Sequence, residues 1–229
     1  MKENFITYLS SFLFSKKIET RSSAVSGTVE VVYSGGRYVL DSVHVNYSFG
    51  GLHLVFQKAF SKFGIRDRTI NKVLILGFGA GSTVSILQDE YKMKGMHIAG
   101  VEKDPEVIAL AKKYFSVDTY KDLMLVCEDA YEFVGKSKEQ FDLIVMDVFV
   151  DRDVPEKFME EQFISSLSQR LSDKGILFYN LVVHNEKVRD KGAQLFKKMN
   201  EKIGKTEWVR IFEQRTENWV FVIDKTKKP

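Results

Sequence analysis

Three glycines at alternate positions close the run Val73-Leu74-Ile75-Leu76-Gly77-Phe78-Gly79-Ala80-Gly81-Ser82-Thr83. Its apolar start reads as a buried parallel strand, and Gly77, Gly79 and Gly81 turn the chain from that strand into a helix. Glycine permits the turn and lets a ligand approach the backbone without a Cβ in the way. The helix beginning there adds free N–H groups and partial positive charge, which favour a carboxylate. A second apolar run, Ile98-Ala99-Gly100-Val101, ends in Glu102, spaced to hold a ribose diol. Strand, glycine turn, helix, strand and acid predict a nucleoside-binding half of a doubly wound sheet.

Two further acids stand where strands are expected to end. Phe141-Asp142-Leu143-Ile144-Val145-Met146 is a buried strand that delivers Asp147 at its carboxyl end. Open α/β sheets bind ligands at such ends, near the switch point between their halves. A carboxylate there can serve as a proton acceptor or an electrostatic anchor, or simply make the hydrogen bonds of a loop start. Asp129 follows the apolar run Leu123–Cys127 and is a favoured residue for capping the next helix. Beyond Asp147 the acids Asp151, Asp153, Glu156, Glu160 and Glu161 outnumber the bases Arg152 and Lys157. That stretch reads equally as a lip attracting a cationic substrate or as a solvated helix start.

The elements that must position these residues are legible from periodicity. Strands are expected near 73–76, 97–101, 122–127, 141–146, 175–182, 206–212 and 218–223, and helices over 82–94, 105–115, 129–136, 156–171 and 185–202. Their alternation implies a parallel sheet covered on both faces. The last two strands leave no room for a helix between them, so an antiparallel hairpin closes the sheet. Before Lys72 the texture differs. Val29–Tyr33 and Arg37–Leu40 flank Gly35-Gly36, a hairpin signal that Val43-His44-Val45 extends into a small antiparallel sheet. Gly51–Phe63 turns helical, with Gly64 as its stop. Phe5, Leu9, Phe12 and Leu13 recur at helical spacing, predicting an amphipathic helix that docks on the body or on a partner subunit. The expected division is 1–64, an N-terminal helix, small β region and linking helix, and 65–229, the nucleoside-binding domain.

Composition excludes several function classes. At 229 residues, 44% hydrophobic and 28% charged, the chain matches an ordinary globular protein. A net charge of +3 is too small to argue for nucleic acid or membrane, and no run is long enough for a membrane span. The N-terminal apolar run is short, broken by Thr7, Ser10 and Ser11, and lacks a small-residue cleavage site, so a cytoplasmic protein is expected. Cys127, the one cysteine, reads as a buried core thiol. His44, His53, His97 and His184 have no ligand spacing, and no metal is expected. Lys225, Lys227 and Lys228 read as a solvated tail, Trp208 and Trp219 as structural, and Tyr179-Asn180-Leu181, at a strand end, as core or loop packing first and as a substrate contact second.

The parallel sheet, closing hairpin and GxGxG turn resemble the class I S-adenosylmethionine-dependent methyltransferase fold. With the β-rich piece before it, the chain from about residue 20 onward resembles the spermidine synthases. This resemblance implies that Gly77, Gly79 and Gly81 pass under the methionine part of the cofactor and that Glu102 holds its ribose. It also implies that Asp129 meets the adenine amine and that Asp147 helps deprotonate an attacking amine. Departures are equally specific. The family's glycine turn carries an Asp for the aminopropyl amine of decarboxylated S-adenosylmethionine, where this chain has Ala80. The family's second Asp after the catalytic strand is here Val150, and its gate of Tyr with Gln or His is here Tyr47-Ser48-Phe49-Gly50. Losing such contacts to a charged amine, each worth about 1.5–3 kcal/mol, weakens the case for aminopropyl transfer to putrescine. Methyl transfer needs mainly positioning and desolvation. The expectation is therefore an S-adenosylmethionine-dependent methyltransferase acting on a small acceptor, with aminopropyl transfer as alternative and a non-catalytic nucleoside-binding scaffold as third. The resemblance also implies a homodimer.

Overall fold

The computed structural model describes residues 5–42, 46–48, 51–150, 152–213 and 216–227. The first element is a short helix, α1 (Phe5–Ser10), followed by an antiparallel sheet of β1 (Lys16–Ser23), β2 (Gly27–Ser34), β3 (Arg37–Ser42) and β4 (Asn46–Ser48), in that spatial order. The β2–β3 hairpin turns on Gly35 and Gly36, both at positive φ (57° and 78°), the geometry for which a Gly-Gly pair was read. Val43, His44, Val45, Phe49 and Gly50 lie outside the described residues. So the expected extension of the hairpin and the gate run are not placed beyond the backbone of Tyr47 and Ser48.

Helix α2 (Gly51–Lys62) ends before Gly64, which has a left-handed φ of 63°. A seven-stranded sheet follows, in the order β10-β11-β9-β8-β5-β6-β7. Its strands are β5 (Lys72–Leu76), β6 (His97–Glu102), β7 (Leu123–Cys127), β8 (Phe141–Met146), β9 (Leu171–Val183), β10 (Thr206–Glu213) and β11 (Thr216–Asp224). Strands β5 to β9 pair in parallel, while β11 runs antiparallel to β9 and β10 to β11. This is the α/β Rossmann-like sheet with a closing hairpin that the alternation predicted. Chain order reverses across the sheet at β5, which has β6 on one side and β8 on the other, so the switch point lies between β5 and β8.

Alternation along the buried strands splits the core in two. Val73, Ile75, Leu143, Val145, Ile176 and Phe178 face α2 and the glycine-turn helix, together with Val29, Val31 and Leu40 of the small sheet. Leu74, Leu76, Ile144, Met146, Leu177 and Tyr179 face the other way, toward α5 (Ala130–Lys136), α6 (Glu161–Arg170) and α7 (Glu186–Lys202).

The structure corrects several expectations. The helix after the glycine turn is α3 (Ser82–Ser85), which widens into a π-turn over Ile86–Glu90 and stops short of residue 94. There Tyr91 N–H reaches Ile86 O at 2.9 Å, five residues back. The helix over 156–171 is a 3₁₀ turn, Glu156–Met159, then α6. Cys127 is exposed, because β7 is an edge strand and an apolar run does not distinguish an edge from a centre. α1 is tied to the β2–β3 turn through Ser11, whose carbonyl and Oγ accept from Gly35 and Gly36 N–H at 2.9 and 2.8 Å. Its apolar side chains Phe5, Ile6 and Leu9 nevertheless remain exposed, so of the two expected docking places, the body and a partner subunit, they do not use the body. Trp219 is buried, with its ring centroid 4.6 Å from that of half-exposed Trp208. Lys225 donates to the carbonyls of Ser168 and Leu171 instead of trailing in solvent.

Candidate active site at the carboxyl end of the sheet

The glycine turn lies between two strand ends. Gly77 N–H and Phe78 N–H both donate to Val101 O at 3.0 Å, and Asp147 N–H donates to Leu76 O at 2.8 Å. Gly77, Gly79 and Gly81 all have positive φ (82°, 56° and 91°), a region costly for any side chain. At Gly77 the requirement is doubled, since a Cβ there would overlap the carbonyl of Asp147. Phe78 turns its ring beneath the turn and covers Gly100 on β6. Only glycine at 100 leaves room for that ring.

Glu102 ends β6 with its carboxylate already engaged. Gly79 N–H donates to Oε2 at 2.9 Å and Asp104 N–H to Oε1 at 3.0 Å. Burial raises its pKa, against the lowering effect of these backbone donors. A carboxylate offers roughly four acceptor positions, so the backbone donors around Glu102 do not exhaust it. Asp104 beside it is 0% exposed. It caps α4 (Pro105–Tyr114) by accepting from Glu106 N–H at 2.9 Å, and it accepts the Ser23 hydroxyl from β1 at 2.5 Å. The small sheet thus reaches the loop that follows Glu102 directly. No local sequence signal joins Ser23 to Asp104.

Asp129 caps α5, accepting Tyr131 N–H at 2.9 Å. The capping half of its reading therefore stands. Lys157 and Lys103 also bind its carboxylate, at 2.7 and 3.1 Å, and hold it in the ionised form against the opposing effect of burial. The stretch after Asp147 is less acidic in space than in sequence. Glu156 pairs with Lys191, Glu161 with Lys202, and Asp153 Oδ1 lies 3.0 Å from His184 Nε2. Asp151 lies outside the described residues.

Asp147 sits differently. Among the described residues its side-chain partner is Asn180, whose Nδ2 donates to Oδ1 at 3.0 Å. The contact follows from register: Met146 of β8 pairs with Tyr179 of β9, so the next residues face each other. Although Asp147 as a residue is only part-buried, burial of its carboxylate pushes the pKa up to about 7, and the Asn180 amide offsets little of that. Ala80 is fully buried and Val150 is exposed, so neither position brings a charged group to the site. Among the described residues no cluster of His, Cys, Asp and Glu is suited to a metal ion.

An adenosyl sulfonium compound is compatible with these residues: three glycines at positive φ in the turn, a carboxylate at the end of β6 and a second carboxylate at the switch point. Residues 55–229 match the spermine/spermidine synthase domain. The chain belongs to that family. Within it, a polyamine aminopropyltransferase of Vibrio vulnificus is 32% identical over 112 residues, covering 48% of this chain and 37% of the relative. A Drosophila melanogaster eEF1A lysine and N-terminal methyltransferase homolog is 27% identical over 127 residues, covering 51% of this chain and 18% of the relative. The chain therefore matches well under half the length of these curated relatives. The crystal structure of a probable spermidine synthase from Corynebacterium glutamicum superposes with a TM-score of 0.72 at 17% identity, over 94% of this chain and 81% of that one. This likeness shows the fold. The family is one of transferases, and among the described residues no helix is long and apolar enough to cross a membrane.

Proposed function

We propose that this chain is a transferase that holds an adenosyl sulfonium compound across the ends of β5, β6 and β8 and passes one sulfonium substituent to a small acceptor beside Asp147. The observation that carries the reading is the pair of acids flanking the glycine turn, Glu102 and Asp147. In it, Gly77, Gly79 and Gly81 lie beneath the amino-acid end of the compound, Glu102 binds the ribose hydroxyls and Asp129 receives the adenine amine. Asp147 takes or anchors the proton of the attacking nitrogen, a role that suits a carboxylate whose pKa lies near neutrality. The bound sulfonium supplies the electrophilic carbon. The protein's work is orientation and exclusion of water.

Two substituents are candidates. Family membership and the name of the Vibrio relative support aminopropyl transfer from decarboxylated S-adenosylmethionine, which is the first reading. A specific observation favours methyl transfer from S-adenosylmethionine. Ala80 and Val150 stand where the resembled synthases place the acids that bind the aminopropyl and acceptor amines, and the methyltransferase relative shows that the match is not confined to synthases. Calorimetric titration with both forms of the cofactor, followed by turnover over a panel of amines, decides between them. Tight binding of the decarboxylated form alone supports aminopropyl transfer, and preference for the carboxylated form supports methyl transfer. Binding of both with no turnover supports a non-catalytic scaffold. The division at residues 64 and 65, a homodimer and a cytoplasmic location belong to the same proposal. Light scattering on the purified chain tests the dimer.

A further inference from the structure

On the α2 face of the sheet, two buried amide oxygens lack a hydrogen-bond partner among the described residues: Asn180 Oδ1 and Asn218 Oδ1. Asn180 is 0% and Asn218 1% exposed. Protein interiors seldom leave such acceptors unmet, because an unpaired buried oxygen loses its hydration with no return. Here two lie side by side. Strand β11 pairs with β9 so that Val220 faces Asn180 and Asn218 faces Val182, which makes the asparagines diagonal neighbours on one face. That face also contains Asp147, whose carboxylate accepts from Asn180 Nδ2. With Nδ2 engaged by Asp147, the oxygen of Asn180 is the end of the amide left without a donor. Asn218 Nδ2 makes only a long contact of 3.4 Å with Thr216 O. Asp147, Asn180 and Asn218 thus form a row of acceptors crossing β8, β9 and β11, about two strand spacings or ~10 Å in length.

We propose that this row is the acceptor-binding track, with Asn218 the residue that selects the acceptor's distal end. The inference rests on the transferase reading of Asp147. The reacting nitrogen lies at Asp147 and Asn180, and a second N–H-bearing group lies at Asn218. Asn218 offers an uncharged oxygen, and Val150 brings no second carboxylate to the site. A distal ammonium would be buried there without a counter-charge, whereas an amide N–H would be satisfied by one neutral bond. The substrate class is therefore an amine whose far end is a neutral N–H donor, rather than a diamine charged at both ends.

The test measures binding of N-acetylputrescine and of putrescine by calorimetry to the full chain saturated with methylthioadenosine. N-acetylputrescine is expected to bind about tenfold more tightly, the worth of roughly one net buried hydrogen bond. Asn218→Leu should erase that preference, keep methylthioadenosine affinity and raise the unfolding temperature, because it removes an unsatisfied amide. A structural asparagine would do the reverse to stability. Asn218→Asp should shift the preference toward putrescine. Equal binding of the two probes, or a lowered unfolding temperature in Asn218→Leu with the preference intact, overturns the inference while leaving the cofactor reading in place. A crystal structure with N-acetylputrescine bound away from Asn218 does the same. Failure of methylthioadenosine itself to bind takes down the transferase reading and this inference with it.

Discussion

Glu102 and Asp147 stand on opposite sides of the same glycine turn, at the ends of strands that both pair with β5, yet their surroundings differ in kind. Glu102 is braced by backbone N–H groups of Gly79 and Asp104, and the loop behind it is fixed by the buried Ser23–Asp104 contact. Asp147 has one amide donor from Asn180, and the next polar oxygens along its face are unmet. The first arrangement is pre-organised for a ligand part that does not change during a reaction. The second keeps a carboxylate near its titration point, as a proton acceptor at neutral pH requires. On the proposed reading, the difference separates a side of the turn that holds from a side that reacts.

The strongest way to break the comparison is at the holding side. Glu102→Ala removes two expected charged hydrogen bonds to the ribose, at about 1.5–3 kcal/mol each, so nucleoside affinity should fall by about a hundredfold or more. Calorimetry with S-adenosylmethionine and its decarboxylated form reads this directly. An unchanged affinity would remove Glu102 from the site. At the reacting side, Asp147→Asn should lower turnover by about 10²–10⁴, the usual worth of a positioned acid or base, while nucleoside affinity stays within a few-fold. Equal loss of both would make Asp147 another holding residue and erase the contrast.

The pH dependence sharpens the same contrast. With its carboxyl pushed up to about 7, Asp147 is mostly protonated below that pH, so turnover should rise through neutrality and level off above it. In the unfolded chain the group titrates near 3.8. Between about 4 and 7 the folded state therefore binds more protons than the unfolded one, and stability from this group falls as pH rises across that window. Asp147→Asn should flatten that slope and leave the protein more stable than the parent above pH 7. Denaturant titrations at a series of pH values measure it. A parent without the slope would show that Asp147 is already well solvated.

Much of this was legible in sequence because it is local. The apolar run and glycine spacing before Gly81, the acid after Val101 and the acid after Met146 each lie within one strand and its turn, where periodicity and steric rules act. What escaped depends on pairing between distant segments. Asn180 read as packing because nothing near it reveals that β9 lies beside β8 in a register that sets it opposite Asp147. Cys127 read as core because strand order, not composition, makes β7 an edge. The acids after Asp147 read equally as a lip or as a solvated helix start, and sequence did not separate the two because Lys191 and Lys202, which pair with Glu156 and Glu161, come from a helix far along the chain.

The smallest effect asks whether the pre-organisation of Glu102 depends on the N-terminal sheet. Three sets of contacts join β1 to α4 and its cap. Glu19 meets Lys113 and Tyr114, Arg21 pairs with Glu106, and Ser23 meets buried Asp104. Loss of the surface pairs should be nearly silent, since exposed ion pairs contribute about 0–1 kcal/mol and are screened by salt. Ser23→Ala removes a donor from a carboxylate with no solvent to replace it, which costs about 1–3 kcal/mol in stability. Because Asp104 N–H also holds Glu102 Oε1, part of that loss should appear as a few-fold weaker nucleoside binding, with turnover at saturation unchanged. Lys113→Ala is the control and should move neither quantity. If Ser23→Ala lowers stability but leaves nucleoside affinity untouched, Glu102 is held by its own loop alone. The small sheet would then be a neighbour of the cofactor site, not a part of it.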